Sequence, residues 1–439
     1  MRRVLPWRHG TGPRRGYRVR FTTAEPPCGI MHPVSASPQS KRRDRRQEIL
    51  AATCVLVVSD GIDGLRSATV AAEAGTSVGL VHYHYPTLDD LVLAAYVWDQ
   101  ERTWDPFAGL DPAADPLGTL ELLLAGQLSQ PESEVRAGFM LWQEYARRAL
   151  FDERIHDVVV RRITRWIGVM AELVGAAAER GEYADAAAAE LASARFAATL
   201  FGASVLHLTG LIPVGEAAAD MSALLAASTV STTQPAVRAA EPPQSPAAAE
   251  PADPPALLLA ATLRLIARGG VRAVHFAEVA EEAGFSTALP RYYFATMDGL
   301  LLAALQRLVE QRRERVQRLV AATADPAQRV RGAVLAQAAF DLAEGRDERV
   351  ILHEFLRLGF VHETFRPAVC AALQEDIDVL ARLIADVPTA AGSPADASVR
   401  QLVESINGVM LGSLLGILDD AAAVRVLDWA VVDALGSAG

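Results

Sequence analysis

The sequence repeats itself at a constant offset of 209 residues, and this repeat constrains the fold more than any other feature. Residues 49–95 align with residues 258–304 without a gap and are identical at 21 of 47 positions. Stacked structural repeats have periods of roughly 20 to 50 residues, so the longer offset predicts a duplicated domain. A chain of 439 residues also exceeds the size at which one hydrophobic core stops growing. We therefore expect two similar halves.

Outside this repeat the sequence is helical in character. Ala and Leu are abundant, and apolar residues recur at helical spacing without alternating β-branched runs. The exception is a segment rich in Pro and Ala, residues 228–255, which we interpret as a linker. The predicted fold class is all-α. The last helices expected in the two halves cover residues 186–209 and 394–419, and their nearly complete apolar character predicts buried interface helices.

Charge is distributed unevenly along the chain. The formal net charge is −11, which by itself argues against nucleic acid as a partner. Residues 1–48, however, hold 12 Lys and Arg against 3 Asp and Glu. The basic run from Lys41 to Arg46 lies directly before the first helical pattern, where it can attract a polyanion.

Cysteine content and hydropathy indicate the cellular compartment. The three cysteines are far apart and odd in number, so they do not form a disulfide framework or a paired metal site. No apolar run reaches the roughly 20 residues of a membrane span without a charged or polar side chain. The N-terminus lacks the apolar core of a secretory signal. We therefore expect a cytoplasmic protein with no membrane partner.

Residues 67–91 carry the pattern of two short helices joined by a tight turn. Gly75 can take the positive φ that the turn requires, and Ser77 is placed to cap the second helix. An apolar stripe follows at helical spacing: Val81, Tyr85, Leu88 and Val92. This arrangement predicts a helix-turn-helix, whose second helix enters the major groove of DNA.

Because the apolar stripe is expected to be buried, the opposite face of the second helix is free to contact double-stranded DNA. His and Tyr can donate hydrogen bonds to phosphate oxygens, and Val and Leu can contact thymine methyl groups. The DNA-binding residues predicted in the first half are Arg45, Arg46, Arg66, Ser67, Thr76, Ser77, Val78, Gly79, Leu80, His82, Tyr83 and His84. Histidines two positions apart do not share a helix face, so we expect no metal site here, and no cofactor.

The same set of residues recurs in both copies of the repeat. In the first half they are Ile49 to Ala52, Gly61, Val70-Ala71, Ala74 to Ser77, Gly79, Val81-His82, His84-Tyr85, Thr87 and Asp89 to Leu91. In the second half they are Leu259 to Ala261, Gly270, Val279-Ala280, Ala283 to Ser286, Tyr293-Phe294, Thr296 and Asp298 to Leu300. This pattern resembles the DNA-binding motif of the TetR family of transcriptional regulators.

The resemblance implies a repressor, or less often an activator, that binds an operator as a dimer and is released by a small-molecule effector. Because both halves belong to one chain, an intramolecular pseudo-dimer is expected, with a homodimer of two chains as the alternative. The expected domains are a disordered basic leader (1–40), a first helix-turn-helix domain (41–105), a first helical regulatory domain (106–227), the linker (228–255), a second helix-turn-helix domain (256–310) and a second helical regulatory domain (311–439).

The second motif departs further from the family pattern than the first. Arg66 and His275 stand where the family has a capping Thr, so the cap shifts or is lost in both. Pro290 lies inside the second recognition helix, predicted at 287–294, where it removes an amide donor and favours a bend. The candidate DNA-binding residues of this half are Ser286, Thr287, Arg291 and Tyr292. We expect the first motif to bind DNA and the second to bind weakly, at a different half-site or not at all.

Candidate effector residues are aromatic or polar side chains on the apolar helices of the regulatory domains. They are Phe139, Trp142, Tyr145 and Trp166 in the first half, and Phe340, His353, Phe355 and Phe360 in the second. Such residues more often belong to a core, and a pocket that they line suits an apolar effector. Phosphate-binding, zinc-protease and nucleophile motifs are missing, so we do not expect an enzyme. The alternative function is a TetR-like ligand- or protein-binding module that has lost DNA binding.

Overall fold

The computed structural model describes residues 38–104, 114–183, 189–230, 253–340, 345–387 and 396–436. Regular structure within these ranges is helical throughout, which confirms the predicted all-α class. Most of the predicted leader and of the predicted linker lies outside the described residues.

Each half contributes nine α-helices to the described part of the chain. The first half has α1 Pro38–Gly64, α2 Ser67–Glu73, α3 Val78–His84, α4 Leu88–Trp104, α5 Pro116–Leu124, α6 Glu132–Ala149, α7 Glu153–Glu179, α8 Ala189–Thr209 and α9 Val214–Val230. The second half has α10 Pro254–Gly269, α11 Phe276–Glu282, α12 Leu289–Tyr293, α13 Met297–Ala322, α14 Pro326–Gln337, α15 Gly345–Val361, α16 Arg366–Ala385, α17 Asp396–Leu414 and α18 Asp420–Leu435. Short 3₁₀ turns follow α5 and α10.

An Asp followed by a Pro starts three of these helices. Asp115, Asp253 and Asp325 each precede a Pro in the first helical turn. Asp115 Oδ1 accepts a hydrogen bond from the amide of Gly118 at 2.9 Å, and Asp253 Oδ1 accepts one from Ala256 at 3.1 Å. Proline needs no amide partner there, and an Asp N-cap contributes about 1 kcal/mol. These local contacts determine where α5, α10 and α14 begin.

The sequence prediction lacks two helices, α9 and α18. They follow α8 and α17 after turns at Gly210 and Gly416, whose φ angles are +82° and +68°. A positive-φ glycine indicates where a helix ends but does not show whether another helix comes after it. Both additional helices pack back against the helix that precedes them, which helps to bury α8 and α17.

The two halves meet where α8 crosses α17. A Cβ atom at Gly202 would overlap the carbonyl oxygen of Glu404, and one at Gly408 would overlap the carbonyl oxygen of Ala198. The two backbones therefore pack directly against each other, without side chains between them. α8 is long and apolar enough to cross a membrane, but 89% of its most apolar stretch is buried inside the protein.

This crossing has approximate two-fold symmetry. Gly202 and Gly408 have equivalent roles, and Thr199 Oγ1 lies 3.2 Å from Ser405 Oγ. The members of each pair are 206 residues apart, whereas the repeat in the DNA-binding segments has an offset of 209. The symmetry of the helical domains is therefore not visible at the offset of the repeat.

A buried group of charges, which we name the Arg–Glu cluster, joins the halves beside the crossing. Its members are Asp63, Glu144, Arg147, Glu354 and Arg357. Arg357 Nε donates to Glu144 Oε1 at 2.6 Å, and Arg147 Nη1 lies 3.5 Å from Glu354 Oε1. Asp63 lies 2.8 Å from Arg147. Burial alone would raise the pKa of Asp63. The guanidinium groups of Arg147 and Arg357 outweigh burial and lower this pKa below its ordinary value.

The two glutamates of the cluster also hold the chain that leads into each helix-turn-helix. Glu144 Oε2 accepts a hydrogen bond from the amide of Ile62 at 2.8 Å. Glu354 Oε2 accepts the equivalent bond from the amide of Val271 at 2.7 Å. Each glutamate therefore connects the arginine of the opposite half to the DNA-binding segment of its own half.

Glu404 is a buried carboxyl on α17 at the same crossing. Its side chain is fully buried, and neither oxygen has a hydrogen-bond partner among the described residues. Burial, and next the negative charge of Asp220, raise the pKa of Glu404 well above its ordinary value, against the opposing effect of Arg400. The neutral form of this carboxyl is therefore favoured in the folded chain.

We expect Gly408→Ala to destabilise the chain, because the added methyl group displaces backbone across the crossing. Overpacked cores lose about 1–3 kcal/mol, and a backbone clash belongs at the upper end of that range. Gly175→Ala in α7 is the matched control, since nothing lies within 4 Å of its Cβ position. Thermal denaturation should show a lower melting temperature for Gly408→Ala only. Equal melting temperatures would contradict the close approach of the two backbones.

Glu404→Gln should stabilise the fold at pH 8 and have little effect near pH 4. The carboxyl ionises in the unfolded chain near its ordinary pKa of 4.5, while its folded pKa is higher. The wild-type chain therefore loses stability from this group as the pH rises above about 4.5, and the amide does not. Melting temperatures of both chains between pH 4 and pH 8 measure this difference. A difference that does not change with pH would show that ionisation of Glu404 is not its cause.

Candidate nucleic-acid interface and effector cavity

α2 and α3 form the helix-turn-helix of the first half. Gly75 at the turn has a φ of +59°, and Ser77 Oγ accepts a hydrogen bond from the amide of Leu80 at 3.2 Å. Val81 and Tyr85 on the inner face are only 1% and 4% exposed. The turn, the cap and the buried side of the predicted stripe are confirmed.

α2 begins without a capping side chain at its N-cap residue, Arg66. The helix start is held instead by Thr69, whose Oγ1 accepts from the amide of Arg66 at 3.3 Å and donates to its carbonyl oxygen at 2.8 Å. The guanidinium of Arg66 donates to the carbonyl oxygens of Asp63 and Leu65. His275 likewise provides no side-chain cap to α11. Of the two outcomes predicted for this cap, a shift or a loss, the structure has the loss in both halves, and Thr69 compensates in the first.

The outward face of α3 is polar and aromatic. Tyr83 is 69% exposed. The exposed members of the predicted DNA-binding set are Arg45, Arg46, Arg66, Ser77, Val78, Gly79, His82 and Tyr83, and the partly buried ones are Ser67, Thr76, Leu80 and His84. Of the six large apolar or aromatic side chains that are exposed in the described ranges, four lie on α3 or α12. Exposed apolar surface concentrated in this way marks an interaction site.

Arg45 and Arg46 are the arginines of the basic run whose side chains the structure describes, and Arg46 lies at the end of α3. Arg45 forms a salt bridge of 2.6 Å with Glu48, and the guanidinium of Arg46 lies 5.6 Å from the centre of the Tyr85 ring. Tyr85 directly follows α3, so Arg46 places positive charge next to the recognition helix. The side chains from Lys41 to Arg43 lie outside the described part of the chain.

The recognition helix of the second half is shorter than predicted. α12 begins at Leu289 instead of residue 287, and Pro290 occupies its first turn. First-turn amides have no acceptor within the helix, so proline is tolerated there and does not bend the helix. The prediction of a proline inside a helix at 287–294 is therefore wrong. All four candidate residues of this half are exposed: Ser286, Thr287, Arg291 and Tyr292.

The helix that precedes the second recognition helix is more acidic than its counterpart in the first half. α11 carries Glu278, Glu281 and Glu282, whereas α2 carries only Glu73. Glu282 is paired with two arginines of α10. Glu278 and Glu281 are exposed. α11 therefore presents two exposed carboxylates that no arginine of α10 pairs with, where α2 presents one carboxylate.

The candidate effector residues of the first half pack tightly together. The Trp142 ring stacks on Phe201 with 4.6 Å between centroids, and the Trp166 ring lies 5.8 Å from the same phenyl ring. Tyr145 is fully buried beside another tyrosine ring. Phe139 packs against the edge of the core. Trp142 and Trp166 therefore share one aromatic group with Phe201, whereas Tyr145 belongs to the core that α6 forms with the first helix-turn-helix.

The candidate effector residues of the second half occupy different environments. Phe340 packs under an arginine guanidinium at 4.4 Å, and Phe360 is buried in the core. Burial, and to a smaller extent the charge of Arg147, lower the pKa of His353 to about 4, so its ring is neutral at pH 7. Phe355 lines one of the two cavities described next.

Two adjoining cavities lie among α13, α14, α15, α16 and α17. The inner cavity has a volume of about 30 Å³ and the outer one about 190 Å³. Both are lined by Arg312, Gln337 and Asp376, and the inner one also by Leu352 and Phe355. Pockets for drug-sized ligands measure roughly 300–1,000 Å³, so these cavities suit a compact molecule.

The polar residues of these cavities were not among the residues predicted from the sequence. Arg312, Gln337, Asp376 and Asn407 lie on four different helices and share no local motif. One indication was available: Arg312 interrupts the apolar stripe of α13, and a charge at a core-facing position needs a partner or a function.

A profile described as "Bacterial regulatory proteins, tetR family" matches the chain twice, at residues 49–95 and at residues 258–304. The two matches cover the helix-turn-helix segments built around α2–α3 and α11–α12. The chain therefore carries two TetR-like units in tandem, one in each half. Comparison with curated proteins gives no match.

Solved structures of transcriptional regulators match about two fifths of this chain. One from a Rhodococcus species, described as a TetR-family regulator, is 25% identical, with 43% of this chain and 99% of that chain covered and a TM-score of 0.36. A regulator from Saccharomonospora viridis in complex with choline is 23% identical, with 42% of this chain and 96% of that chain covered and a TM-score of 0.38. FadR from Bacillus subtilis in complex with stearoyl-CoA is 16% identical, with 42% of this chain and 98% of that chain covered and a TM-score of 0.33.

Replacing Gly75 and Gly79 of the first TetR-like unit with alanine should have opposite effects on local stability. Gly75→Ala places a side chain at a φ of +59°, which costs about 1–2 kcal/mol even though no atom lies near the new Cβ. Gly79→Ala replaces a helical glycine and should stabilise α3 by about 0.5–1 kcal/mol. Hydrogen exchange of peptides that cover α2 and α3 should become faster in the first variant and slower in the second. The same change in both variants would contradict the turn geometry.

Proposed function

We propose that the chain is a cytoplasmic, sequence-specific DNA-binding transcriptional regulator, most simply a repressor that a small, largely apolar effector releases. The observation that carries this proposal is the outward face of α3. His82 and Tyr83 are exposed there, and Arg46 lies at the neighbouring Tyr85. Polar and aromatic groups on a recognition helix, next to a basic segment, are what binding to phosphate and base edges requires.

The first TetR unit is the principal DNA-binding unit in this proposal. Its recognition helix has the full length of the motif and the Ser77 cap, whereas α12 begins two residues later. The exposed Glu278 and Glu281 also weaken the attraction of the second unit for phosphate. Arg291 and Tyr292 remain exposed, so the second unit can still make a subordinate contact.

The two units act in this proposal as an intramolecular pseudo-dimer. Its support is the α8–α17 crossing, where Gly202 and Gly408 bring the halves into backbone contact. A symmetric palindromic operator does not fit two unequal recognition helices. We therefore expect an asymmetric operator, or two chains that each contribute a first unit to equivalent half-sites.

The alternative is a TetR-like module that binds a ligand or a protein and has lost DNA binding. The acidic helix that precedes α12 favours this alternative for the second unit. The exposed, polar α3 favours DNA for the first.

The purified chain should shift a DNA fragment from its own promoter region, with an affinity that falls steeply as the salt concentration rises. Each phosphate contact that is lost reduces the slope of log affinity against log salt by about 1. An electrophoretic mobility shift at several salt concentrations measures both quantities. If no fragment of its own locus is shifted at low salt, the alternative function is favoured.

Matched substitutions in α3 and α12 should show which of the two units contributes more to DNA binding. His82→Ala with Tyr83→Ala removes exposed side chains from α3, and Arg291→Ala with Tyr292→Ala removes their counterparts from α12. The first pair should abolish the shift, and the second should weaken it less. Footprints of both variants show which part of the operator is lost. A larger loss from the second pair would reverse the proposed roles of the units.

A further inference from the structure

The helical domains of the two halves can be aligned residue by residue when offsets of 210 and 206 replace the offset of 209. The alignment shows positions at which the two halves carry different side chains. Glu144 and Arg147 correspond to Glu354 and Arg357 at an offset of 210, and the glycines of the crossing correspond at an offset of 206. The three stacked aromatic residues of the first half have smaller or polar counterparts: Trp142 corresponds to Leu352, Trp166 to Asp376 and Phe201 to Asn407.

All three counterparts line the inner cavity of the second half. Positions that carry stacked aromatic rings in the first half therefore line a cavity of about 30 Å³ in the second. A bulky aromatic side chain buries 150–250 Å². Leu352, Asp376 and Asn407 are smaller than their aromatic counterparts, and Asp376 and Asn407 supply polar groups to the cavity wall.

The lining of the cavities indicates the chemistry of an occupant. Gln337 is 2% exposed, and its Oε1 has no hydrogen-bond partner among the described residues. A buried acceptor of this kind needs a donor, which a ligand can supply. The outer cavity is lined by Arg312, Arg313 and Arg382 against Glu375 and Asp376. Arg313 pairs with Glu375 at 2.7 Å and Arg312 with Asp376 at 3.4 Å, so the positive charge in excess among the lining residues is that of Arg382. A compact ligand with apolar rings, one hydrogen-bond donor and an anionic end fits these features.

α15 connects this cavity to the opposite half. Leu352, Phe355 and Leu356 line the inner cavity. At about 3.6 residues per turn, Glu354 and Arg357 lie on the other side of the helix. Arg357 donates to Glu144 at 2.6 Å, and Glu144 accepts the amide of Ile62, where the chain enters the first helix-turn-helix. A displacement of α15 therefore changes the contact that holds the first DNA-binding segment.

We infer that the two halves have divided the work: the second half binds the effector, and its occupancy is transmitted across the interface to the first DNA-binding unit through Arg357 and Glu144. This inference rests on the proposed function for its biological purpose. Ligand binding and its transmission can nevertheless be measured without DNA.

The first experiment locates the binding site with anilinonaphthalene sulfonate, a fluorescent probe with apolar rings, an N–H donor and an anionic group. The wild-type chain should bind it at one saturable site. Leu352→Trp with Asn407→Phe, which copies the first half, should abolish that site, and Asn407→Phe alone should weaken it. Trp142→Leu with Phe201→Asn should create a second site. An unaltered site in the filled variant, or no saturable site in the wild type, would overturn the inference.

The ligand class is tested with phenylnaphthylamine, which has the same rings and N–H donor but no sulfonate. Competition in the wild-type chain should show tighter binding of the sulfonate, and Arg382→Gln should remove that preference. Tighter binding of the neutral compound would overturn the assigned anionic end.

The second experiment follows transmission by hydrogen exchange of the peptide that contains Ile62. Probe binding should reduce its protection in the wild-type chain. Arg357→Gln should abolish this response while the probe still binds, and Asp63→Asn, a milder change in the same cluster, should weaken it. Arg331→Gln is the matched control, because Arg331 forms an equally buried pair with Asp428 at 2.6 Å within the second half. The response should persist in that control.

A response that is unchanged in Arg357→Gln would overturn the transmission route. The result is separable from the proposed function. If the wild-type chain fails to shift promoter DNA but shows the Ile62 response, the DNA proposal fails and the division of work stands. If the chain shifts promoter DNA but the Ile62 peptide shows no response, the DNA proposal stands and the division of work fails.

Discussion

The backbone contact between α8 and α17 is the constraint on which the arrangement of the two halves depends. Because Gly202 and Gly408 leave no side chain between the helices, neither helix can slide without a clash. The Arg–Glu cluster depends on this fixed placement. Burying charges costs several kcal/mol for each ion, and close, well-aligned partners are needed to offset that cost. The 2.6 Å contact between Arg357 and Glu144 exists because the crossing holds the halves in register.

Local signals explain why the DNA-binding segments could be predicted from the sequence. The turn at Gly75 and the cap at Ser77 lie a few residues apart, and each acts on its own neighbours. The burial of α8 and α17 could also be predicted, from their apolar character. The start of α12 at Leu289 could not, because it depends on whether Pro290 falls inside a helix or at its first turn. α9 and α18 were missed because the end of one helix carries no signal for a second helix beyond it.

The cavities and the cluster were beyond sequence reasoning for a different reason. Their residues come from helices that are distant in the chain, and the repeat offset changes from 209 to 210 and then to 206 between segments. Arg312, Asp376 and Asn407 acquire a common role only after the helices are packed. Pairwise contacts across the two-fold axis, such as Thr199 with Ser405, reveal the correct correspondence.

Joining the two units in one chain permits differences that a homodimer cannot have. In a symmetric dimer of identical chains every substitution appears twice, so an aromatic side chain that closes one pocket closes both. Here Trp142 and Leu352 occupy equivalent positions with different side chains. The Glu and Arg residues that join the halves are retained in both units, while the cavity-lining positions and the exposed positions of the recognition helices differ. The second unit therefore need not bind DNA to remain necessary, because it completes the α8–α17 interface and supplies the arginine that holds Glu144.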